Sequence, residues 1–413
     1  MRAGKVESLP EAAVSGTPCA ALPMKQSMVL LFAVACGLSV ANVYYAQPLL
    51  DLLARDFNVS RASIGGVITA TQAGCALALV LLVPLGDRAN RHRLMAVQLV
   101  LLAIALVAVA MARTAPLLLA GMLATGLLGT AMTQGLIAYA ATVAAPRERG
   151  RVVGAAQGGV VIGLLLARTM SGLIADVAGW RAVYFTSAAL AVVMLPVLWH
   201  TLPAQPAPRV RIPYLRLLES MFTLLAHDRV LQIRGMIGML MFAAFSVFWS
   251  AMALPLSAPP FALPHTAIGA FGLAGAAGAL AAARAGHWAD RGKGEWTTGV
   301  AWIVLLLSWL PAAFLSSGLW TLVIGVLLLD LSGQAIHVVN QSMIFRTRPD
   351  AHSRLVGCYM LFYATGSGAG ALASTHVYAW AGWTGVCVLG ATITLAGLLF
   401  WAFTLRAMPR HDA

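Results

Sequence analysis

The sequence predicts an all-α polytopic membrane protein with twelve spanning helices, built as two parallel, repeat-related bundles of six. Composition, the placement of basic residues and an internal repeat predict it. The 413 residues are 60% hydrophobic and 10% charged, with a mean hydropathy of +0.84, far more apolar surface than a soluble domain buries. A spanning helix takes roughly 20 residues, so composition alone accommodates on the order of twelve.

Residues 1–27 are polar and carry prolines, and read as an N-terminal tail. The apolar run behind them is too long for a signal sequence and has eleven more after it, so it is an uncleaved first span. Apolar runs place six spans at 28–50, 62–84, 94–112, 116–143, 152–174 and 182–200, which make a first bundle over 28–200. Residues 201–230, rich in proline and charge, read as a linker with one amphipathic stretch. The second bundle, 231–406, holds spans at 231–254, 265–287, 297–315, 319–345, 354–376 and 384–405, and 407–413 is a short tail.

The net charge is +13, but its placement argues against nucleic acid. Of 27 Lys and Arg, 22 fall on the side that holds both termini, while the other side holds Arg55, Arg61, Arg113 and Arg181, and Arg168 lies inside a span. The positive-inside rule therefore makes both termini and the linker cytoplasmic. Only 3 of the basic residues are Lys, and with abundant alanine this points to a GC-rich bacterial genome and an inner membrane. The five cysteines form no CxxC pair, so neither a disulfide framework nor a metal site is expected. No phosphate-binding or dinucleotide fingerprint occurs, so no cofactor, ATP drive or enzymatic reaction is expected either.

The repeat has a constant offset of 203 residues. Asp87-Arg88 becomes Asp290-Arg291, Pro146 becomes Pro349, Arg151 to Gly154 becomes Arg354 to Gly357, Gly163 becomes Gly366, and Gly179-Trp180 becomes Gly382-Trp383. Six spans separate equivalent points, so both copies share one orientation, and a substrate site is expected between them near mid-membrane.

Of the acidic residues only Asp330 lies deep inside an apolar run, VIGVLLLDLSGQAIHVVNQ. An ionisable group there is costly unless it is used. Gln334, His337 and Gln341 fall within about 40° of it on a helix, with Asn340 at the edge of the stripe. Asp330 and His337 are candidates to load and release a proton; the alternative is that they hydrogen-bond across a packed helix interface. Position 337 corresponds to Gln134, which with Thr130 gives the fourth span a polar face. Arg168 is a candidate to bind an anionic or hydroxyl-rich substrate, or else to pair structurally with backbone carbonyls or Asp330. Asn42 and Tyr45, with Ser39, recur at three-residue spacing on the first span and are candidate lining residues. The aromatic cluster Phe242, Phe245, Phe248 and Trp249 is read as either ligand-stacking or lipid-facing.

The loop PLGDRANRHR resembles the G-x-L-A-D-R-x-G-R-R/K motif of the major facilitator superfamily at Leu85, Asp87, Arg88, Arg91 and Arg93, with Val83 and Asn90 where glycines are usual. The second copy, GHWADRGKG, keeps Gly286 and Asp290-Arg291. NVYYAQPLL, RGRVVG and GWRAVYF also resemble the twelve-helix drug/proton antiporter group of arabinose-efflux-like permeases, although Ala167-Arg168 and Ser171 replace residues of that group's fifth-helix motif. The resemblance implies the major facilitator fold, a gate latch formed by Asp87, Arg88, Arg91, Asp290 and Arg291, and proton-coupled efflux of a small organic molecule by a monomer in the lipid bilayer. Symport of an anionic or polar metabolite, and a membrane binding or assembly protein without transport, are the other readings the residues allow.

Overall fold

The computed structural model describes residues 24–87, 89–145, 147–202, 214–347 and 352–405. The first pass is not the single helix expected. α1 (Gln26–Ala41) ends in turns, and a 3-10 turn at Gln47–Leu49 leads into the short α2 (Leu50–Asp56). Asn42 Nδ2 donates to the carbonyls of Leu38 and Ser39 at 2.8 and 3.2 Å, competing for acceptors at the helix end. Pro48 then has no N–H to offer the helix.

α3 (Gly66–Leu77) continues into a π-helical turn at Ala78–Leu82. After it come α4 (Arg91–Ala110), α5 (Ala115–Val143), α6 (Arg149–Ala178) and α7 (Trp180–Thr201). Asn90, where the family motif has glycine, caps α4 by accepting from the Arg93 N–H at 3.2 Å. The amphipathic stretch of the linker is α8 (Tyr214–His227). The second half contains α9 (Arg229–Ala251), the short α10 (Ala253–Leu256), α11 (His265–Trp288), α12 (Gly294–Ala313), α13 (Leu319–Thr347) and α14 (His352–Thr404).

Among the described residues nine helices are long and apolar enough to cross a membrane. One of them, α14, has 53 residues, roughly 80 Å at 1.5 Å per residue and too long for one crossing. It breaks at Gly382, φ 61°, just as α6 and α7 meet at Gly179, φ 81°. Both glycines adopt a left-handed backbone that a side chain disfavours, and they lie one repeat apart. With α14 counted as two passes, α1 with α2 and the 24-residue α11 complete twelve.

Packing repeats as the sequence does. α1 lies along α6, α3 along α5, and α4 against α5 and α7; in the second bundle α9 lies along α14, α11 along α13, and α12 against α13 and α14. Gly159 and Gly163 press on the backbone of Ala33 and Gly37, and Gly366 and Gly370 press on that of Met239 and Ala243. Val97, Ile104, Ile162, Val192, Leu310 and Val388 face outward and exposed. Such a continuous apolar surface suits lipid and would aggregate in water.

Arg168 is not the sole guanidinium inside a span, as expected, because the second bundle buries Arg234 completely. Arg234 lies little more than one turn into α9, so hydropathy counts it with the preceding loop. It pairs with Glu295 in the first turn of α12 and donates to Thr298 Oγ1 at 3.1 Å and Asn340 Oδ1 at 3.4 Å. Glu295 also accepts from Trp401 Nε1 at 2.9 Å. Replacing Glu295→Ala strands a buried cation, and we expect a loss of about 3 kcal/mol in unfolding free energy, with a clearly smaller loss for Glu295→Gln. Thermal unfolding of the purified variants in detergent checks this; equal stability of Glu295→Ala and the parent would show that the pair does not hold the bundle.

Candidate functional site

The bundles touch along two seams related by the repeat, α3 against α14 and α6 against α11. Both run through the half of the protein remote from α8, where the chain emerges from α6 and enters α11; this is the far end, and the opposite one the basic end. Along one seam Thr69 Oγ1 donates to the Gly368 carbonyl at 2.8 Å and Thr375 Oγ1 to that of Ala62 at 2.9 Å. Along the other Thr169 Oγ1 donates to the Gly269 carbonyl at 3.1 Å, and Gly172 lies against the backbone of His265 and Thr266. At mid-depth the hydroxyls of Tyr44 and Tyr363 join the bundles at 2.5 Å.

Toward the basic end the bundles part around a cavity of about 450 Å³. Its polar lining comes from both halves: Thr130, Thr133, Gln134 and Gln157 from one, Gln334, His337 and Gln341 from the other. Tyr44, Phe242 and Tyr363 supply aromatic surface. Phe242 stands edge-on to His337 and Tyr363, with centroids at 5.2 and 4.2 Å. His337 Nδ1 lies 3.1 Å from the Tyr359 hydroxyl. Among the described residues none that lines it carries a carboxylate, ammonium or guanidinium, and this wall suits hydrogen bonding to a neutral molecule with an apolar face.

Other expected lining residues lie elsewhere in this conformation. Asn42 is buried within the first bundle, accepting from Ser187 Oγ at 2.7 Å. Tyr45 packs edge-on against Tyr184 at 6.5 Å, and it is Tyr44, one residue earlier, that reaches the cavity. The interrupted helix accounts for the shift, since three-residue spacing does not keep one face through the turns after Ala41. Asn340 is turned toward Arg234 and Tyr359.

Arg168 and Asp330 sit behind the cavity floor, in the closed half. The Arg168 guanidinium lies over the Trp249 ring at 4.0 Å and near Tyr44 at 5.2 Å. Its Nε donates to Gln47 Oε1 at 2.7 Å, whereas Nη2 has no hydrogen-bond partner. Trp249 Nε1 donates to Asp330 Oδ1 at 3.4 Å. One indole thus carries the cation of the first bundle on its face and the carboxylate of the second at its edge. Asp330 packs on Gly275, where any Cβ would collide with the carboxylate, and Gly275 also lines the cavity. One helix turn therefore separates Asp330 from the cavity contents.

Of the expected gate residues, Arg91 donates from Nε to the Gly86 carbonyl and from Nη1 to that of Ala138, both at 3.0 Å, tying the α3–α4 loop to α5. Arg291 is exposed. Arg88 and the side chains of Asp87 and Asp290 lie outside the described residues. Sequence reasoning does not single out Tyr363, and it offers Asp51 only as an acid at the far end without bringing Asp176 and His265 to it, because their neighbours come from other helices.

Residues 29–301 match the Major Facilitator Superfamily. The chain is 43% identical over 390 residues to the uncharacterized transporter YgaY of Escherichia coli O157:H7, covering 94% of this chain and 98% of that one. It is 34% identical over 371 residues to the probable transporter SCO4007 of Streptomyces coelicolor, covering 88% and 85%. Among solved structures it resembles a bacterial homologue of the human lysosomal transporter Spinster in an inward-facing, occupied conformation, with TM-score 0.75, 12% identity and coverage of 92% and 97%. It also resembles the nucleoside transporter NupG, with TM-score 0.72, 15% identity and coverage of 93% and 100%. The chain is a multi-pass membrane transporter and belongs to the Major Facilitator Superfamily.

Proposed function

We propose that the protein is a proton-coupled secondary transporter that exports a small, uncharged organic molecule from a bacterial cytoplasm across the inner membrane, as a monomer and without cofactor. The observation that carries this reading is the position of Asp330, a buried carboxylate one helix turn behind the cavity floor and facing Arg168 of the other bundle through Trp249. An ionised carboxylate at that depth needs a compensating charge or a proton. Arg168 supplies the first across the seam, and a proton replaces it when the seam parts. His337 on the same stripe reaches the cavity and relays between its contents and the Tyr359 hydroxyl. Export is favoured by the resemblance of the loop and helix motifs to drug/proton antiporters. The lining of glutamines, threonines and aromatic rings favours a neutral polar or amphipathic substrate, such as a sugar-like or heterocyclic molecule.

Uptake of an anionic metabolite by proton symport is a second reading, and the unpartnered Arg168 Nη2 favours it. A thermal-shift screen separates the two: neutral sugars and heterocycles should stabilise the purified protein while organic acids do not. Stabilisation by organic acids that disappears in Arg168→Gln would reverse the assignment.

Asp330→Asn keeps size and hydrogen-bonding capacity, so folding should survive. In proteoliposomes we expect transport driven by an imposed pH gradient to fall at least tenfold, while exchange of labelled for unlabelled substrate persists. Accumulation at the parent's rate by Asp330→Asn would remove Asp330 from the coupling step.

The cavity opens to the cytoplasm if the basic end is cytoplasmic, as the distribution of Lys and Arg implies. Reporter fusions after Arg209 and after the C-terminus should both report a cytoplasmic location, and a periplasmic signal from either would invert the orientation.

A further inference from the structure

At the far end of the α6–α11 seam, Asp51 of α2 and Asp176 of α6 enclose His265 at the start of α11. Nε2 of the imidazole is 3.0 Å from Asp51 Oδ1, and Nδ1 is 2.9 Å from Asp176 Oδ1. Asp176 is held in place, since Oδ1 also accepts from the His265 N–H at 3.0 Å and Oδ2 from the N–H and Oγ1 of Thr266, each at 2.7 Å. Both carboxylates belong to the first bundle and the imidazole to the second, so the three meet only while the far end is shut.

The charged surroundings are sparse. Arg55 on α2 is 3.9 Å from Asp51. The 3-10 turn at Gln47–Leu49, α10 and residues 257–264 bring no ionisable side chain. Arg168 on α6 faces α11 deeper in the seam, against Gly269 and Gly272. The side chains of His265 and Asp176 keep 14% and 24% of their surface exposed, which leaves the cluster in reach of far-side water.

A proton count follows from the geometry. Ionised carboxylates only accept, and a neutral imidazole has one N–H, so one of its two contacts would then set lone pair against lone pair. Both contacts are satisfied when the cluster holds one proton more, as imidazolium between two carboxylates or as imidazole beside a carboxylic acid.

We propose that Asp51, His265 and Asp176 form a proton-binding site assembled as the far end closes, so that closure takes up one proton from the far-side solution. This rests on alternating access but on neither Asp330 nor any particular substrate. By linkage, this site by itself changes the ratio of far-closed to far-open protein by up to about tenfold per pH unit, acid favouring closure, while a proton that Asp330 takes up on opening acts in the opposite direction. The seam between α3 and α14 uses threonine hydroxyls and backbone carbonyls at equivalent depth, and His376 beside it bonds to the Leu372 carbonyl of its own helix, so the two seams divide the work: one fits by shape, the other reads acidity.

Spin labels at Met111→Cys and Trp320→Cys, both exposed at the far ends of α4 and α13, report the separation of the bundles by double electron–electron resonance in nanodiscs. Cys36, Cys75, Cys358 and Cys387 are buried, and Cys19 is replaced by Ser. In Asp330→Asn, where that opposing carboxylate is gone, the short distance should give way to a longer one between about pH 5 and about pH 9. In Asp51→Asn the carboxamide N–H can donate to the bare Nε2 of a neutral imidazole, whose Nδ1–H goes to Asp176; closure then needs no extra proton and the short distance should persist at high pH. His265→Gln leaves a carboxylate without its donor and should favour the long distance at every pH. Two populations without a pH response in Asp330→Asn, or a double variant with Asp51→Asn that titrates like Asp330→Asn alone or opens at every pH, would overturn the proton site alone. A single distance under all conditions, with and without stabilising ligand, would overturn alternating access as well.

Discussion

Everything in this molecule depends on how closely two helices can approach when nothing larger than a hydrogen atom stands between them. Lipid gives helices no hydrophobic reason to associate, so van der Waals contact and interhelical hydrogen bonds must do it. Gly159 and Gly163 on Ala33 and Gly37 hold the first bundle, and Gly366 and Gly370 on Met239 and Ala243 hold the second. The same device joins the bundles at the far end, where Gly172 and Gly269 of one seam and Gly65 of the other lie against backbone. Inside a bundle such contacts are buried on all sides and permanent. Between bundles they cover only half the depth, and the cavity occupies the rest.

Polar groups follow this division. Among the described residues the lining of the cavity is uncharged, and Arg234, Arg168 and Asp330 lie buried outside it. Arg234 has Glu295 within its own bundle and so constrains no movement between halves. Arg168 is different: its cation lies on Trp249 of the opposite bundle, and its hydrogen bond to Gln47 stays within its own. Separation of the halves would take the aromatic face and Asp330 away together. A buried charge whose compensation comes from a moving neighbour is a natural point for ion binding to act on conformation.

The sequence carried the architecture because its determinants are local or periodic. Apolar runs of spanning length, the one-sided basic loops and the 203-residue offset each survive without knowledge of contacts, and the paired glycines Gly179 and Gly382 show why the offset is so strict: both need positive φ. Gln134, Gln334, His337 and Gln341 were legible for the same reason, as a stripe on a regular helix. Three-residue spacing points to Tyr45 rather than Tyr44 because it carries the face of α1 through a break that Asn42 and Pro48 create. Arg234 was hidden by its nearness to the end of α9, and His265 by the distance of 214 positions to Asp51. Facing partners on separate helices leave no periodic trace in a single chain.

The linker adds a mechanical term to this balance. Tyr214, at the head of α8, donates to the Leu81 carbonyl at 2.8 Å, within the π-helical turn that ends α3, where a wider helical register leaves a carbonyl available. A few residues on, Met221 packs into the second bundle and its carbonyl meets Cys358 Sγ at 3.6 Å. α8 is therefore moored to both halves at the mouth of the cavity, like a strap across a hinge. Its reach, set by about two turns of helix, bounds how wide that mouth can gape before the Tyr214 bond, worth ~1 kcal/mol, is given up.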